Sequence, residues 1–159
     1  MEAAVESRYM LRAIELSKQA LTHPDCGPFG CVIVRADGIV GEGFNQVIRR
    51  HDPTAHAEIV AIRDACSRLG VHDLSDCELY ASCKPCPMCL GAILWARIPV
   101  VHFGASSEDA STAGFDDSAF YRDFDPRHTA ERLRMIQCLQ AEAVAALREW
   151  STLPVKASY

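Results

Sequence analysis

The stretch Pro85-Cys86-Pro87-Met88-Cys89 begins a predicted helix and carries two thiols three positions apart. Pro87 suits the first turn of a helix, because the backbone N–H that proline lacks would be unpaired there. The spacing of Cys86 and Cys89 places both sulfur atoms on one side of that turn, where they can bind the same metal ion. The start of a helix is also the positive end of its dipole, which favours the thiolate form of both cysteines.

A second pattern, His56-Ala57-Glu58, begins another predicted helix about 30 residues earlier. His56 adds a third ligand of a type that zinc accepts, and three protein ligands leave one tetrahedral position open, as in a catalytic zinc site. Zn²⁺ with two thiolates and a neutral imidazole has no net charge, so its bound water is expected to need a base. Glu58 can be that base if the metal lies beyond the helix end, because residues two positions apart point to different helix faces. Cys83 is interpreted as a packing residue rather than a fourth ligand.

Length and composition indicate one compact domain of 159 residues and 17.5 kDa, with 49% hydrophobic and 23% charged residues. The net charge of -5 disfavours strong nucleic-acid binding, which needs a basic surface. Residues 1–6 lack the features of a signal peptide, and the longest apolar run, residues 92–96, is too short to span a bilayer. We therefore expect a cytoplasmic protein with no membrane partner, in which the eight cysteines are reduced.

Hydrophobic periodicity and turn residues predict an opening hairpin followed by strands that alternate with helices. This order is typical of a three-layer α/β domain with a mixed sheet. Cys31, Cys66, Cys77 and Cys138 are predicted to be core residues. The predicted helices are 7–22, 55–69, 87–97, 142–150 and a short one from Ser106 or Ser107. The predicted strands are 31–34, 39–45, 78–81 and 100–103. Residues 114–126 are predicted to be a long functional loop, and 134–139 a last strand or the start of a helix.

The two metal motifs together resemble the H-x-E and P-C-x-x-C signature of the zinc-dependent cytidine deaminase-like superfamily. The resemblance spans nearly the whole chain and implies an α/β/α domain with a five-stranded mixed sheet over residues 1–159. The metal motifs are shared with tRNA adenosine deaminases and deoxycytidylate deaminases. The sequence is more closely similar to the small bacterial guanine deaminases, through Gly27-Pro28-Phe29-Gly30, Asn45, residues 52–58, residues 86–93 with Trp95, and Gly114-Phe115-Asp116-Asp117-Ser118.

The resemblance also implies roles for individual residues. The metal ligands would be His56, Cys86 and Cys89, and Glu58 would transfer protons. Residues 152–159 would form a tail that closes a site, exchanged between the protomers of a homodimer. Lys84 departs from the family pattern, which has Glu before the Pro-Cys pair. The implied purine-binding residues are Asn45, Asp117, Phe29, Ala57, Trp95 and Tyr159.

The chemistry of two of these residues favours guanine. An ionised Asp117 can only accept hydrogen bonds, and guanine presents donors at N1 and at its amine, whereas adenine presents an acceptor at N1. Asn45 has both a donor and an acceptor, so it could contact O6 or a ring nitrogen. In the expected reaction Glu58 takes a proton from zinc-bound water, hydroxide attacks C2, and Glu58 delivers the proton to N3. Ammonia then leaves, with Asp117 as a candidate second proton shuttle, and xanthine is formed.

Several alternatives stay open at this point. A tRNA adenosine deaminase would need basic patches, and a deaminase of guanosine or ammeline would need a different pocket wall. A structural zinc module would need a fourth ligand and would have no use for Glu58. Asn45 could be a turn residue and Asp117 a helix cap, while Phe29 and Trp95 could be core residues.

Overall fold

The computed structural model describes residues 2–36, 38–124, 133 and 135–155, with side chains from Ser7 onwards. The chain divides into two compact units, residues 1–118 and 119–159. Across the described residues, no helix combines the length and the apolar character that crossing a membrane requires.

The first unit contains most of the regular structure. Its helices are α1 (Glu2–Ser17), continued by a 3-10 turn (Lys18–Leu21), α2 (Val47–Arg50), α3 (Ala57–Leu69), α4 (Pro87–Trp95) and α5 (Ser107–Thr112). Its strands are β1 (Gly30–Arg35), β2 (Gly38–Phe44), β3 (Cys77–Cys83) and β4 (Val100–Ala105). Helix α6 (Ser118–Asp123) begins at the last residue of this unit, and α7 (Gln140–Thr152) lies in the second.

The four strands form a mixed sheet in the order β2-β1-β3-β4. Strand β1 pairs antiparallel with both β2 and β3, and β3 pairs parallel with β4. The predicted mixed sheet is thus confirmed, but the expected fifth strand is wrong for the described part of the chain. Residues 135–139 pair with no strand of this sheet and lead instead into α7, whose N-cap Leu139 has a left-handed conformation (φ 49°, ψ 40°).

Helices cover both faces of the sheet, in three layers. Side chains of β1 and β3 alternate between the faces, as the twofold period of a strand requires. One face packs against α1 through Tyr9, Leu16, Val32, Val34 and Tyr80. The other packs against α3 and α4 through Cys31, Ile33, Ala57, Ala61, Leu79, Ala81 and Ile93.

Helix α3 lies directly on β2 because glycines let the two backbones approach. A Cβ atom on Gly41 would lie 2.5 Å from the carbonyl oxygen of Ala61, and one on Gly43 would collide with the carbonyl oxygen of Ala57. At the outer edge of β2, the backbone N–H of Glu42 donates to Oδ2 of Asp64 on α3 at 2.9 Å. These contacts fix where the first turn of α3 lies.

Four local predictions differ from the structure or are sharpened by it. The first helix begins at Glu2 rather than near residue 7, because the added residues are mostly good helix formers. The predicted loop 114–126 contains α6, whose first N–H, that of Ser118, donates to Oδ1 of Asp116 at 2.9 Å. Ser106 is the N-cap of α5 and forms a capping box with Asp109. Of the cysteines predicted to be core residues, Cys31 and Cys77 are buried, Cys66 is partly buried against the core, and Cys138 is exposed.

Candidate metal and active site

Three predicted ligands meet where two helices begin. His56 is the N-cap of α3 and Cys86 the N-cap of α4, and both have extended backbones that turn their side chains beyond the helix ends. The Nδ1 atom of His56 lies 3.5 Å from Sγ of Cys86 and 3.6 Å from Sγ of Cys89. The ligand atoms of the three residues all lie within 4.8 Å of one another. An imidazole and two thiols at this separation are a donor set that suits Zn²⁺.

The protonation of this group is strongly coupled. Hydrogen bonds from Cys89 and His56 lower the pKa of Cys86 to about 4, so Cys86 is a thiolate. The pKa of Cys89 is raised because that thiolate and burial both disfavour a second negative charge. The hydrogen bond to Cys86 raises the pKa of His56. A cation at this position would replace the shared protons, as metal binding to thiolates requires.

Cys83 lies outside the ligand group. Its Sγ is 3.6 Å from the carbonyl oxygen of Ser106, to which it donates, and its side chain is buried. Within the described part of the chain, the group has three protein donors, which leaves one position of a tetrahedron for water or substrate.

Glu58 is buried beside the ligands. It lies in the first turn of α3, only 7% exposed, and the Cys89 thiol is in hydrogen-bond contact with its carboxylate. Burial, and then the charge of Cys86, raise the pKa of Glu58. The concern that residues 56 and 58 point to different helix faces does not apply here, because His56 precedes the helix proper.

The two neighbouring aspartates have different surroundings. The pKa of Asp116 is lowered by hydrogen bonds from Ser118, the first residue of α6. The pKa of Asp117 is raised, first by burial and then by the charge of Cys86, and the charge of Asp117 in turn acts on His56. Asp117 is therefore the carboxylate of the pair that is close to the ligand group.

Asn45 and Phe29 lie at neighbouring ends of β2 and β1. The side-chain Oδ1 of Asn45 accepts the backbone N–H groups of Gly27 and Val47, each at 3.3 Å. Phe29 packs against the core and meets Phe115 edge to face, with ring centroids 4.9 Å apart. Neither Gly27 nor Phe115 is predicted as a site residue by itself. The sequence signal for them is weak. The Gly27-Pro28 pair is typical of a chain break, and Phe115 is marked only by its contact with Phe29, which is distant in sequence.

The remaining predicted substrate residues differ in exposure. Ala57 is buried in the first turn of α3. Trp95 ends α4, is 70% exposed, and lies six residues after Cys89, a helical rise of about 9 Å. Tyr159 and the tail residues 156–158 lie outside the described residues, so their predicted role stays a prediction.

Comparisons with known proteins agree with this geometry. The family model described as "Cytidine and deoxycytidylate deaminase zinc-binding region" matches residues 4–105. The guanine deaminase of Bacillus subtilis is 43% identical over 151 residues, which is 95% of this chain and 97% of that protein. An X-ray structure of guanine deaminase from Bacillus subtilis has a TM-score of 0.91 at 42% identity, covering 96% of this chain and 98% of its own. A tRNA-specific adenosine deaminase of Haemophilus influenzae is 39% identical over 127 residues, 79% of this chain and 72% of that protein.

Proposed function

Since the chain belongs to the cytidine and deoxycytidylate deaminase zinc-binding family, we propose that it is a zinc-dependent guanine deaminase that hydrolyses guanine to xanthine and ammonia. The observation that carries this proposal is a three-donor metal group with a buried carboxyl group beside it. The similarity to a guanine deaminase over nearly the full length of both proteins supports guanine as the substrate.

His56, Cys86 and Cys89 would hold the metal through one nitrogen and two sulfur atoms. Zn²⁺ supplies Lewis acidity there and lowers the pKa of water. The two thiolates and the imidazole sum to a charge that cancels that of the ion, so an additional base is needed for the proton.

Glu58 is the residue suited to move this proton. A carboxyl group works best as acid and base when its pKa is raised towards neutrality, and burial raises the pKa of Glu58. Glu58 would accept a proton from the attacking water and return it to N3 of the base. Ammonia departs from C2 as the product forms.

Asp117 would bind the hydrogen-bond donors of the purine, and Asn45 would bind one of its acceptors. The Asp117 carboxylate would accept hydrogen bonds from N1–H and the amine, and it would assist as a second proton shuttle. Asn45 would contact an acceptor such as O6 or a ring nitrogen. The apolar part of the pocket would come from Phe29, Ala57 and Trp95, with Tyr159 closing it.

A homodimer in the cytoplasm fits the rest of the chain. Helix α7 has no buried residue, and Leu147 and Trp150 on it are 68% and 48% exposed. Exposed apolar side chains of this size are typical of a surface that binds another protein. A second copy of the chain would be that protein, with the tail 152–159 exchanged between protomers. The eight free cysteines suit a reducing compartment.

The second candidate function is deamination of adenosine in tRNA. The Haemophilus influenzae relative favours it, because 72% of that protein is matched. The net charge of -5 argues against a nucleic-acid partner, since phosphate binding needs a basic surface.

The deciding experiment measures ammonia release by the zinc-loaded protein from guanine, guanosine, adenine, cytosine, cytidine, ammeline and tRNA. We expect turnover of guanine. The variant Glu58→Gln should keep one zinc per chain and lose about 10²–10⁴-fold in kcat, the usual contribution of a general acid–base group. Turnover of tRNA alone would favour the second candidate, and full activity of Glu58→Gln would remove Glu58 from the mechanism.

A further inference from the structure

Gly27 lies against the side-chain amide of Asn45. A Cβ atom on Gly27 would come 2.9 Å from Cγ, 3.0 Å from Oδ1 and 3.3 Å from Nδ2 of Asn45. The φ angle of Gly27 is outside the left-handed region, so the position requires glycine for space and not for backbone freedom.

Two backbone donors fix which way the Asn45 amide faces. Its Oδ1 accepts the N–H of Gly27 from one side and the N–H of Val47 from the other. The opposite orientation would set the NH₂ group, which only donates, against both N–H groups. Because Asn45 is only 9% exposed, little water can reach the amide to compensate for those two lost hydrogen bonds.

The backbone around Asn45 ties this amide to the elements that carry the metal ligands. The N–H of Asn45 donates to the carbonyl of Phe29 at 3.0 Å, and the N–H of Phe29 donates to the carbonyl of Gly27 at 2.9 Å. The N–H of Gln46 donates to the carbonyl of Ala55, the residue before His56, also at 2.9 Å. The amide is thus held between the start of β1 and the segment that leads into α3.

We propose that Gly27 is a positioning residue that makes Asn45 present its NH₂ group, and not its carbonyl, to the substrate. The site then selects bases with a hydrogen-bond acceptor opposite Asn45 and donors opposite Asp117. Guanine has both kinds of edge, with acceptors at O6 and the ring nitrogens and donors at N1 and the amine. This inference rests on the proposed function and narrows it, because Asn45 becomes a donor only.

The variant Asn45→Asp tests the direction of the amide. A carboxylate can still accept the N–H groups of Gly27 and Val47, so the local fold is preserved while the donor to the substrate is lost. We expect wild-type zinc content and Tm with a fall in kcat/KM of about tenfold or more, the effect of one lost hydrogen bond. Unchanged kcat/KM would overturn the proposal, since it would mean that the substrate meets an acceptor at this position.

The variant Gly27→Ala tests the positioning role, with Gly38→Ala as its matched control. The added methyl group must displace the Asn45 amide, so KM should rise about tenfold while kcat changes less. At Gly38, at the start of β2, the nearest atom to a Cβ is 4.0 Å away, and we expect unchanged kinetics.

The double variant separates positioning from a general structural effect. If Gly27 acts through Asn45, Gly27→Ala combined with Asn45→Asp should be no worse than Asn45→Asp alone. Losses that multiply would show that Gly27 acts independently and would overturn the inference. All kinetics are measured on whichever base the wild-type protein deaminates. Inactivity of the wild-type protein on guanine would contradict the proposed function. The comparison of the variants on the base that is deaminated would still test the role of Gly27.

Discussion

Asp116 and Asp117 are adjacent in the chain, yet their carboxyl groups have opposite surroundings. Asp116 accepts a hydrogen bond at the start of α6, whereas Asp117 is partly buried near Cys86. The resemblance to guanine deaminases predicts Asp117 for the purine, but from the residues alone a helix cap and a substrate ligand look alike until the partner of each carboxylate is known. The cap at Asp116 is a local contact with Ser118, whereas the surroundings of Asp117 depend on Cys86, which is far away in sequence.

This difference makes the two aspartates a matched pair for mutation. We expect Asp117→Asn to lower kcat/KM about 100-fold, because one of the two acceptor oxygens for the base becomes an NH₂ donor and the second proton-transferring group is lost. Asp116→Asn should be nearly neutral, since asparagine caps helices about as well as aspartate. Steady-state kinetics on guanine compare the two variants. Equal losses of kcat/KM would show that the role proposed here for Asp117 is assigned to the wrong carboxylate.

Local geometry explains which site residues could be predicted from the sequence. The proposed ligands His56, Cys86 and Cys89 lie at or just before the first turn of a helix, and their spacing depends on few neighbours. The contacts of Gly27 and Phe115 with predicted site residues can be recognised only in the folded chain, where β1, β2 and the segment before α6 lie together. The metal group could therefore be predicted from local spacing, whereas the contacts of Asn45 with Gly27 and of Phe29 with Phe115 could not.

At the scale of elements, the approach of α3 to β2 determines where the metal group forms. His56 and Glu58 sit at the start of α3, and Gly43 is the position at which this helix meets the strand most closely. A side chain on Gly43 would have to push the helix outwards. The metal ligands on α3 and α4 would then separate.

We expect Gly43→Ala to lower the free energy of unfolding by about 1–3 kcal/mol, as overpacking does in a closely packed interior. Zinc affinity should fall with it. Urea denaturation and competition with a chromogenic chelator measure the two effects. Gly91→Ala is the control, because nothing lies within 4 Å of a Cβ there, and alanine inside a helix should leave stability unchanged or raise it by about 0.5–1 kcal/mol. Wild-type stability and zinc binding in Gly43→Ala would refute the importance of this contact.

Elements with strong periodicity or clear end signals were predictable, and elements without them were not. Helix α3 begins and ends as predicted to within two residues, since Gly70 ends it in a left-handed conformation. The five-stranded sheet is wrong for the described residues, because 135–139 has a strand-like composition but pairs with no strand and leads into α7. Short helices such as α6 depend on one capping contact, which sequence periodicity does not reveal.

At the scale of the whole molecule, the described residues of the second unit, 119–124, 133 and 135–155, leave several large apolar side chains exposed. Helix α7 has no buried residue, and Val155 beyond it is 85% exposed. A segment of this composition gains stability when its apolar side chains are covered. The proposed exchange of tails in a dimer would cover them.

Deleting residues 154–159 tests the tail. We expect zinc binding to persist and turnover of guanine to fall, because the site would admit water. Co-expression with the full-length Glu58→Gln chain then tests exchange, since that inactive chain could lend its tail to a truncated partner with an intact Glu58. Activity above that of either variant alone is the expected result, and unchanged kinetics of the truncated chain would exclude a closing role.

The bond from Glu42 to Asp64 has a consequence for assembly. Strand β2 is an outer strand of the sheet, and an outer strand with free N–H groups invites pairing with a neighbouring chain. Here the Asp64 carboxylate accepts a hydrogen bond from one of these N–H groups, that of Glu42. Beside it, Arg12 forms an ion pair with Glu42 and Arg68 forms one with Asp64. A strand docking edge to edge would have to break that bond and displace the arginines. We therefore expect β2 to resist continuous sheet formation between copies of the chain.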